Sequence, residues 1–300
     1  MDLETAEAHG KSKSEIKEVI KRSDLLWNFA CAVRRPLLTM FPCRVLSDQD
    51  PGHLHVASLT VDMDLHQHHR FLTVGSKVGA PDCEVPNLGL EWRTFRPFVY
   101  LPMWTPAPDP GPGAPFSSVT HWTWEELWLD GRVLSVSKRD AYLRYFNLPQ
   151  KAKRPFELAA MIYPGLECGD RELLEGSGWN IVDPREVAGS PSLYKGYISR
   201  SRAEICCPKP IYRELKTGWF SDRSACYLAS GRPVLAEDTG FSENLPTGAG
   251  LLVFRDLSEA LAAVQEIDSN YQFHARAAPS VAEEFLDSQR CLQTMLDACE

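Results

Sequence analysis

GWFSDRSACYLASGRPVLAEDTGF, residues 218–241, decides the fold. It reads as a loop, a helix, a buried strand and a second loop. Ser221 or Asp222 caps the helix. Ala225, Leu228 and Ala229 give it a small apolar face, Gly231 ends it in the left-handed position, and Pro233 stops it from continuing. Residues 233–236 form a short, wholly apolar strand, and Glu237-Asp238-Thr239-Gly240 is a polar turn at its carboxyl end. A helix N-terminus beside a strand's carboxyl end is an anion site in an open α/β sheet. Its free N–H groups and its dipole both favour negative charge.

The same alternation extends outward. Apolar runs at 116–120, 156–162, 179–182, 203–207 and 250–254 predict further strands. Helical patterns fall at 138–146, 170–175, 193–200, 222–230 and 257–268. A doubly wound parallel sheet follows from that order. Two more helices close the chain, at 271–285 with an interruption near Pro279 and at 287–298. On the N-terminal side, Ser12-Lys13-Ser14-Glu15 is a capping box. Runs at 25–32, 43–46, 70–74 and 98–101 predict four buried strands with polar or glycine-bearing exits. Between the halves lies TPAPDPGPGAP, residues 105–115, a proline-rich linker that can be neither helix nor central strand. The expected organisation is α/β, two Rossmann-like parallel-sheet domains facing a cleft: residues 1–104, the linker 105–115, residues 116–285, and a closing helix over 286–300.

The 218–241 segment, with 203–207 before it and 250–254 after it, resembles the donor-binding motif of two-domain GT-B glycosyltransferases. The wider resemblance, over residues 23–298, is to bacterial enzymes of the spore-coat-maturation and group 1 type. It implies a nucleotide diphosphate sugar in the second domain with its diphosphate at the helix start. It also implies an acceptor on the first domain, metal-independent transfer of a hexose in the cleft, no cofactor, and a last helix that returns to the first domain. Two positions depart from the pattern: Cys226 and Gly218 stand where retaining families carry glutamates. The first domain is also short for a complete acceptor domain. Family members begin with a strand and a glycine-bearing loop, whereas this chain begins with a charged segment and one helix. Two other readings stay open: a degenerate GT-B protein that only binds a ligand, and a sugar-nucleotide epimerase of the same fold.

On this reading Ser221, Asp222 and Arg223 hold the diphosphate, the arginine because its planar fork matches phosphate oxygens. Glu237, Asp238, Thr239 and Gly240 face the sugar and phosphates. Lys209 neutralises phosphate, Trp219 stacks on a base or sugar, and His121 contacts phosphate or sugar. Asp48 or Asp50, at the end of a first-domain strand, is the candidate catalytic base for an acceptor hydroxyl. The turn Gly75-Ser76-Lys77-Val78-Gly79 lacks the ending of a P-loop and is read as a glycine-bearing turn or an acceptor-side contact. Asp62, Asp64, His66, His68 and His69 have no metal-ligand spacing, so no metal site is expected.

With 300 residues, 44% of them hydrophobic and 24% charged, the chain is an ordinary globular one. A net charge of −8 argues against a general nucleic-acid binder. No apolar run approaches the roughly 18 residues of a membrane span, and the first twenty residues lack a signal-peptide core. The expected location is cytoplasmic. The nine cysteines (31, 43, 83, 168, 206, 207, 226, 291 and 299) include no C-x-x-C pair, which favours reduced thiols.

Overall fold

The computed structural model describes residues 12–162 and 169–299. Helix α1 (Lys13–Lys21) opens on the expected capping box, with the Ser12 and Glu15 side chains each accepting from the other's N–H. Strands β1 (Leu26–Phe29), β2 (Arg44–Asp48), β3 (Arg70–Thr73) and β4 (Trp92–Thr94) form a four-stranded parallel sheet in that order. Leu26 lies opposite Arg44, Val45 opposite Arg70, and Phe71 opposite Trp92. A short helix, α2 (His53–Ala57), links β2 to β3.

The fourth strand corrects the sequence expectation. Residues 98–101 are apolar but are not a strand of this sheet. The Val99 N–H donates to the Leu286 carbonyl (2.8 Å) and its carbonyl accepts from the Ser288 N–H (3.1 Å). Within the run Val99 is buried against the chain's C-terminal end, whereas Tyr100 is exposed. The true edge strand, Trp92-Arg93-Thr94, is polar because one side of it faces solvent.

The second sheet has six parallel strands: β5 (Phe116–Val119), β8 (Phe156–Ala159), β9 (Trp179–Val182), β10 (Ala203–Cys206), β11 (Val234–Glu237) and β12 (Leu251–Phe254). Between β5 and β8 come a hairpin, β6 (Glu126–Leu129) and β7 (Arg132–Ser135), and helices α3 (Lys138–Leu143) and α4 (Leu148–Ala152). The hairpin and α4 escape the sequence reading, which also runs α3 three residues too far. Helix α5 (Asp170–Gly176) precedes β9, and α6 (Pro184–Ala188) and α7 (Pro191–Arg200) follow it. Helices α8 (Pro210–Glu214) and α9 (Asp222–Ala229) lie between β10 and β11. Three helices close the chain: α10 (Leu257–Ser269), α11 (Tyr271–Phe285) and α12 (Ser288–Asp297). Helix α11 runs through Pro279 without the expected interruption; the missing N–H leaves only one bond of the helix unmade.

The strand order is β12-β11-β10-β5-β8-β9. The chain builds outward from β5 on one side and from β10 on the other. The β5/β10 junction is therefore the topological switch point, and the crevice at its carboxyl ends is where an open α/β sheet takes a ligand.

One face of this sheet packs under α3, α4 and α10, with Tyr142, Leu158, Ile205, Leu235 and Val264 at its centre. The other packs under α9 and α11, and this core continues without a break into the first domain through Val45, Leu72 and Val74. The proline-rich stretch is not a free tether. Arg232, 1% exposed, donates to the carbonyls of Ala107 (3.2 Å), Pro108 (2.6 Å) and Ser199 (2.6 Å) and fixes the stretch to the second domain. Helix α12 lies against the first domain, where Arg93 donates to the Ala298 carbonyl (3.1 Å). Among the described residues no helix is long and apolar enough to cross a membrane. The eight described cysteines are unpaired; Cys168 lies outside the described residues.

Candidate functional site

Helix α9 opens onto a cleft of about 190 Å³ at the switch point. Thr120 and His121 enter it from the end of β5, Lys209 from the end of β10, and Lys138 from the start of α3. Gln49, Val74 and Pro97 close it from the first domain. Ser221, 1% exposed, is the helix N-cap, and its hydroxyl accepts from the Arg223 N–H (3.2 Å). Asp222 is exposed at the first position and accepts from the same N–H (2.9 Å). The Arg223 Nε is buried and has no acceptor.

The cleft concentrates positive charge. Lys138 is fully buried, donates from Nζ to the Cys207 carbonyl (2.6 Å), and stands 5.0 Å from the centre of the Trp219 ring. Desolvation, with Arg223 and Lys209 nearby, pulls its ammonium down to about 8. His121 is pulled down to about 4 by desolvation and then by Lys209, Lys138 and Arg223, so its imidazole is neutral at pH 7. Both shifts share two causes, desolvation and neighbouring cations, and Lys138 is the buried one of the pair, His121 being exposed at the cleft's mouth. Behind Arg223, Glu204 on β10 is fully buried, and burial raises its carboxyl to about 7. It is a weak counter-charge near neutral pH. The sequence reading missed Lys138, because a lysine opening a helix after a hairpin carries no signal until the hairpin is known to fold away from the cleft.

The other expected residues divide. Trp219 lines the cleft and packs on Tyr212 (4.7 Å between ring centres). Lys209 lines it too, but its Nζ is held in a short contact by Asp50, whose other oxygen accepts from the Tyr212 hydroxyl (2.5 Å). Asp50 is thus a strut between the domains. Asp48 is 1% exposed and turned into the first domain, where it accepts from the Thr73 hydroxyl (2.7 Å) and the Asp50 N–H (2.9 Å) beside His55. Neither aspartate is presented to the cleft as a free base. Glu237 is turned away as well, accepting from Arg144 (2.6 Å) and Tyr145 (3.0 Å), and burial raises its pKa. Asp238 caps its own loop, accepting from the Gly240 N–H (2.9 Å) and the Ser242 hydroxyl (2.8 Å), and pairs with Arg255. The Thr239 hydroxyl donates to the Trp219 carbonyl (2.6 Å), and Gly240 packs on Lys77 of the first domain. The 237–240 loop therefore shapes the Trp219 turn and meets the first domain.

The histidine-rich segment is held by arginines. Asp64 accepts from Arg34 (2.7 Å) and from the Arg35 N–H (3.1 Å), Asp62 pairs with Arg35 (2.7 Å), and His69 lies against Arg44 (2.8 Å). Among the described residues no three His, Cys, Asp or Glu side chains converge on a point that could hold a metal ion. A larger hollow of about 400 Å³ lies between β4 and α12. It has no such charge concentration: its arginines, Arg96 and Arg290, are exposed and donate to the Asn244 and Glu284 carbonyls (3.3 Å each).

No protein-family model matches the chain, and no curated protein sequence matches it. Solved structures do. HepE from Anabaena, solved with UDP and glucose, is similar at a TM-score of 0.60 and 11% identity, over 95% of this chain and 79% of that one. An alpha-glucosyltransferase solved with UDP and a 13-mer DNA containing a HMU base is similar at 0.63 and 9% identity, over 96% and 83%. Sucrose-phosphate synthase from Thermosynechococcus elongatus is similar at 0.55 and 9% identity, over 96% and 79%. The chain has the GT-B fold of these proteins, two Rossmann-like domains about a cleft.

Proposed function

We propose that this protein binds a nucleoside diphosphate through the N-terminus of α9 and acts as a glycosyltransferase on a nucleotide sugar. The observation that carries the reading is the convergence of Lys138, Lys209 and Arg223 on the switch-point cleft. The unmet Arg223 Nε lies in the first turn of α9. A diphosphate leaving group develops negative charge at such a place, and fixed donors stabilise it without reorganisation. Arg223 and Lys138 supply charge, Trp219 an aromatic face, and neutral His121 a hydrogen bond. UDP in two of the similar structures makes UDP and UDP-glucose the first probes.

A second reading, a GT-B protein that binds without catalysing transfer, is favoured by one observation. Among the described residues Asp222 is the only carboxylate lining the cleft, and it belongs to α9 itself rather than to the first domain. Asp50 and Asp48 are both engaged elsewhere. Incubating the protein with UDP-glucose, with and without candidate acceptors, separates the two readings. The transferase reading expects UDP release that depends on acceptor. Tight binding with no turnover under any acceptor supports the binding-only reading.

A further inference from the structure

Three strands of the second sheet carry a glutamate. Glu157 accepts from Asn180 and Arg200, and Glu237 from Arg144 and Tyr145. Glu204 on β10 differs: it is 0% exposed, and neither of its oxygens accepts a hydrogen bond. Alternation along the strand sets its direction. Ala203 and Ile205 enter the core under α3, α4 and α10, whereas Cys206 enters the core under α9 and α11. Glu204 therefore points beneath α9. Its neighbours across the sheet offer it nothing. Val234 is apolar, and the Ser117 hydroxyl is already bonded to Ser201 (2.5 Å) and Tyr227 (2.8 Å).

The strongest attraction on this carboxyl group comes from Arg223, in the first turn of α9. Arg223 is partly exposed and lines the switch-point cleft, yet its Nε is buried without an acceptor. Its side chain thus lies between the cleft and the buried carboxyl. Ser224 brings its hydroxyl near Glu204 without a hydrogen bond; Lys138 attracts the carboxylate more weakly, and Asp222 repels it. Tyr194, Cys206, Cys226 and Tyr227 stand around it as well, but burial pushes all four up, so they are neutral at pH 7. A buried carboxylate without hydrogen bonds is costly and takes a proton unless a cation compensates it. Burial holds Glu204 at about 7 even with Arg223 beside it. An anion in the cleft draws on the same guanidinium and adds negative charge, and both effects favour the protonated carboxyl.

We propose that Glu204 is a positioning residue for the cleft: it shares Arg223 with the ligand, holding the guanidinium in the unliganded protein and releasing it, by taking a proton from solvent, when a diphosphate binds. This rests on the nucleoside diphosphate reading of the cleft. Affinity is then highest where Glu204 is already protonated and falls as pH rises through about 7.

Calorimetric titration of the full chain with UDP-glucose tests this, because its diester phosphates stay ionised from about pH 5.5 to about pH 7.5. Over that range Lys138, held at about 8, stays mostly charged, and His121, at about 4, mostly neutral. Wild-type affinity is expected to fall about threefold across it. Glu204→Gln keeps the shape and removes the titrating group, so its affinity should barely change. A second arm needs no variant: at pH 7, titration of the wild type in buffers of different ionisation enthalpy should show uptake of about 0.3–0.5 proton per UDP-glucose bound. A level wild-type affinity with no proton uptake, or a Glu204→Gln that repeats the wild-type fall, overturns the proposal. No binding of UDP-glucose by folded wild type at any pH removes the nucleotide reading itself, a distinct failure that takes this inference with it.

Discussion

The two sheets end on the same cleft but are stabilised differently. The second has six strands, helices on both faces, and a core of its own under α3, α4 and α10. The first has four strands, an edge whose three residues are all at least partly exposed, and a private core of only five buried residues around Leu46 and Phe71. Its other face belongs to the core it shares with α9 and α11. Its polar ties also run across the boundary, from Asp50 to Lys209 and Tyr212 and from the 75–77 loop to the glycine turns. The second domain carries Lys138, Lys209 and Arg223 of the cleft, and the first packs on the second.

Leu72→Ala is the strongest way to break that comparison. Leu72 is 1% exposed in the shared core, and such a truncation costs about 2–5 kcal/mol. If the core is continuous, calorimetry shows one lowered transition and hydrogen exchange rises in both domains. Two separate transitions, with the second domain unmoved, would show the domains to be independent.

Arg232→Ala should follow in size. It removes three charge-assisted bonds to backbone carbonyls from a buried arginine, together worth a few kcal/mol at about 1.5–3 kcal/mol for a hydrogen bond to a charged group before relaxation. Limited proteolysis would then cut within 105–115. An uncut linker at unchanged melting temperature would mean that Arg232 does not hold it.

How much of this was legible beforehand depends on the kind of signal. The second sheet was legible because its strands are short apolar runs between capped helices, and the Ser221 cap lies where the sequence puts it. The 98–101 run misled because Val99, buried at the junction of α11 and α12, has the same apolar signature as a residue buried in a sheet. The engagement of Asp48, Asp50 and Glu237 was not legible at all. A carboxylate at a strand end looks the same whether it faces a ligand or an arginine, and the partners Thr73, Arg144 and Tyr212 lie 25 to 162 residues away in sequence.

A smaller effect sharpens the charge argument. Burial holds Lys138 at about 8, below the ordinary lysine value. Its charge is present below that pH and lost above it, so UDP affinity should weaken as pH rises from about 7 to about 9, by about 1 kcal/mol. Lys138→Met should flatten the profile. A wild-type profile flat over this range would take Lys138 out of the site. The smallest expected effect is at Arg132, whose pair with Glu84 (2.7 Å) joins the hairpin to the first domain with both side chains about half exposed. Arg132→Ala should cost under about 1 kcal/mol. A larger loss in thermal unfolding would make surface ties, and not the shared core, the main hold between domains.

The most direct test of the central claim is calorimetric titration of UDP into wild-type protein and Arg223→Ala at pH 7. One-to-one binding by the wild type, weakened by about 1–3 kcal/mol in a folded Arg223→Ala, is the predicted result. No binding by the folded wild type, or an affinity unchanged in the variant, would contradict the assignment of the diphosphate to the N-terminus of α9.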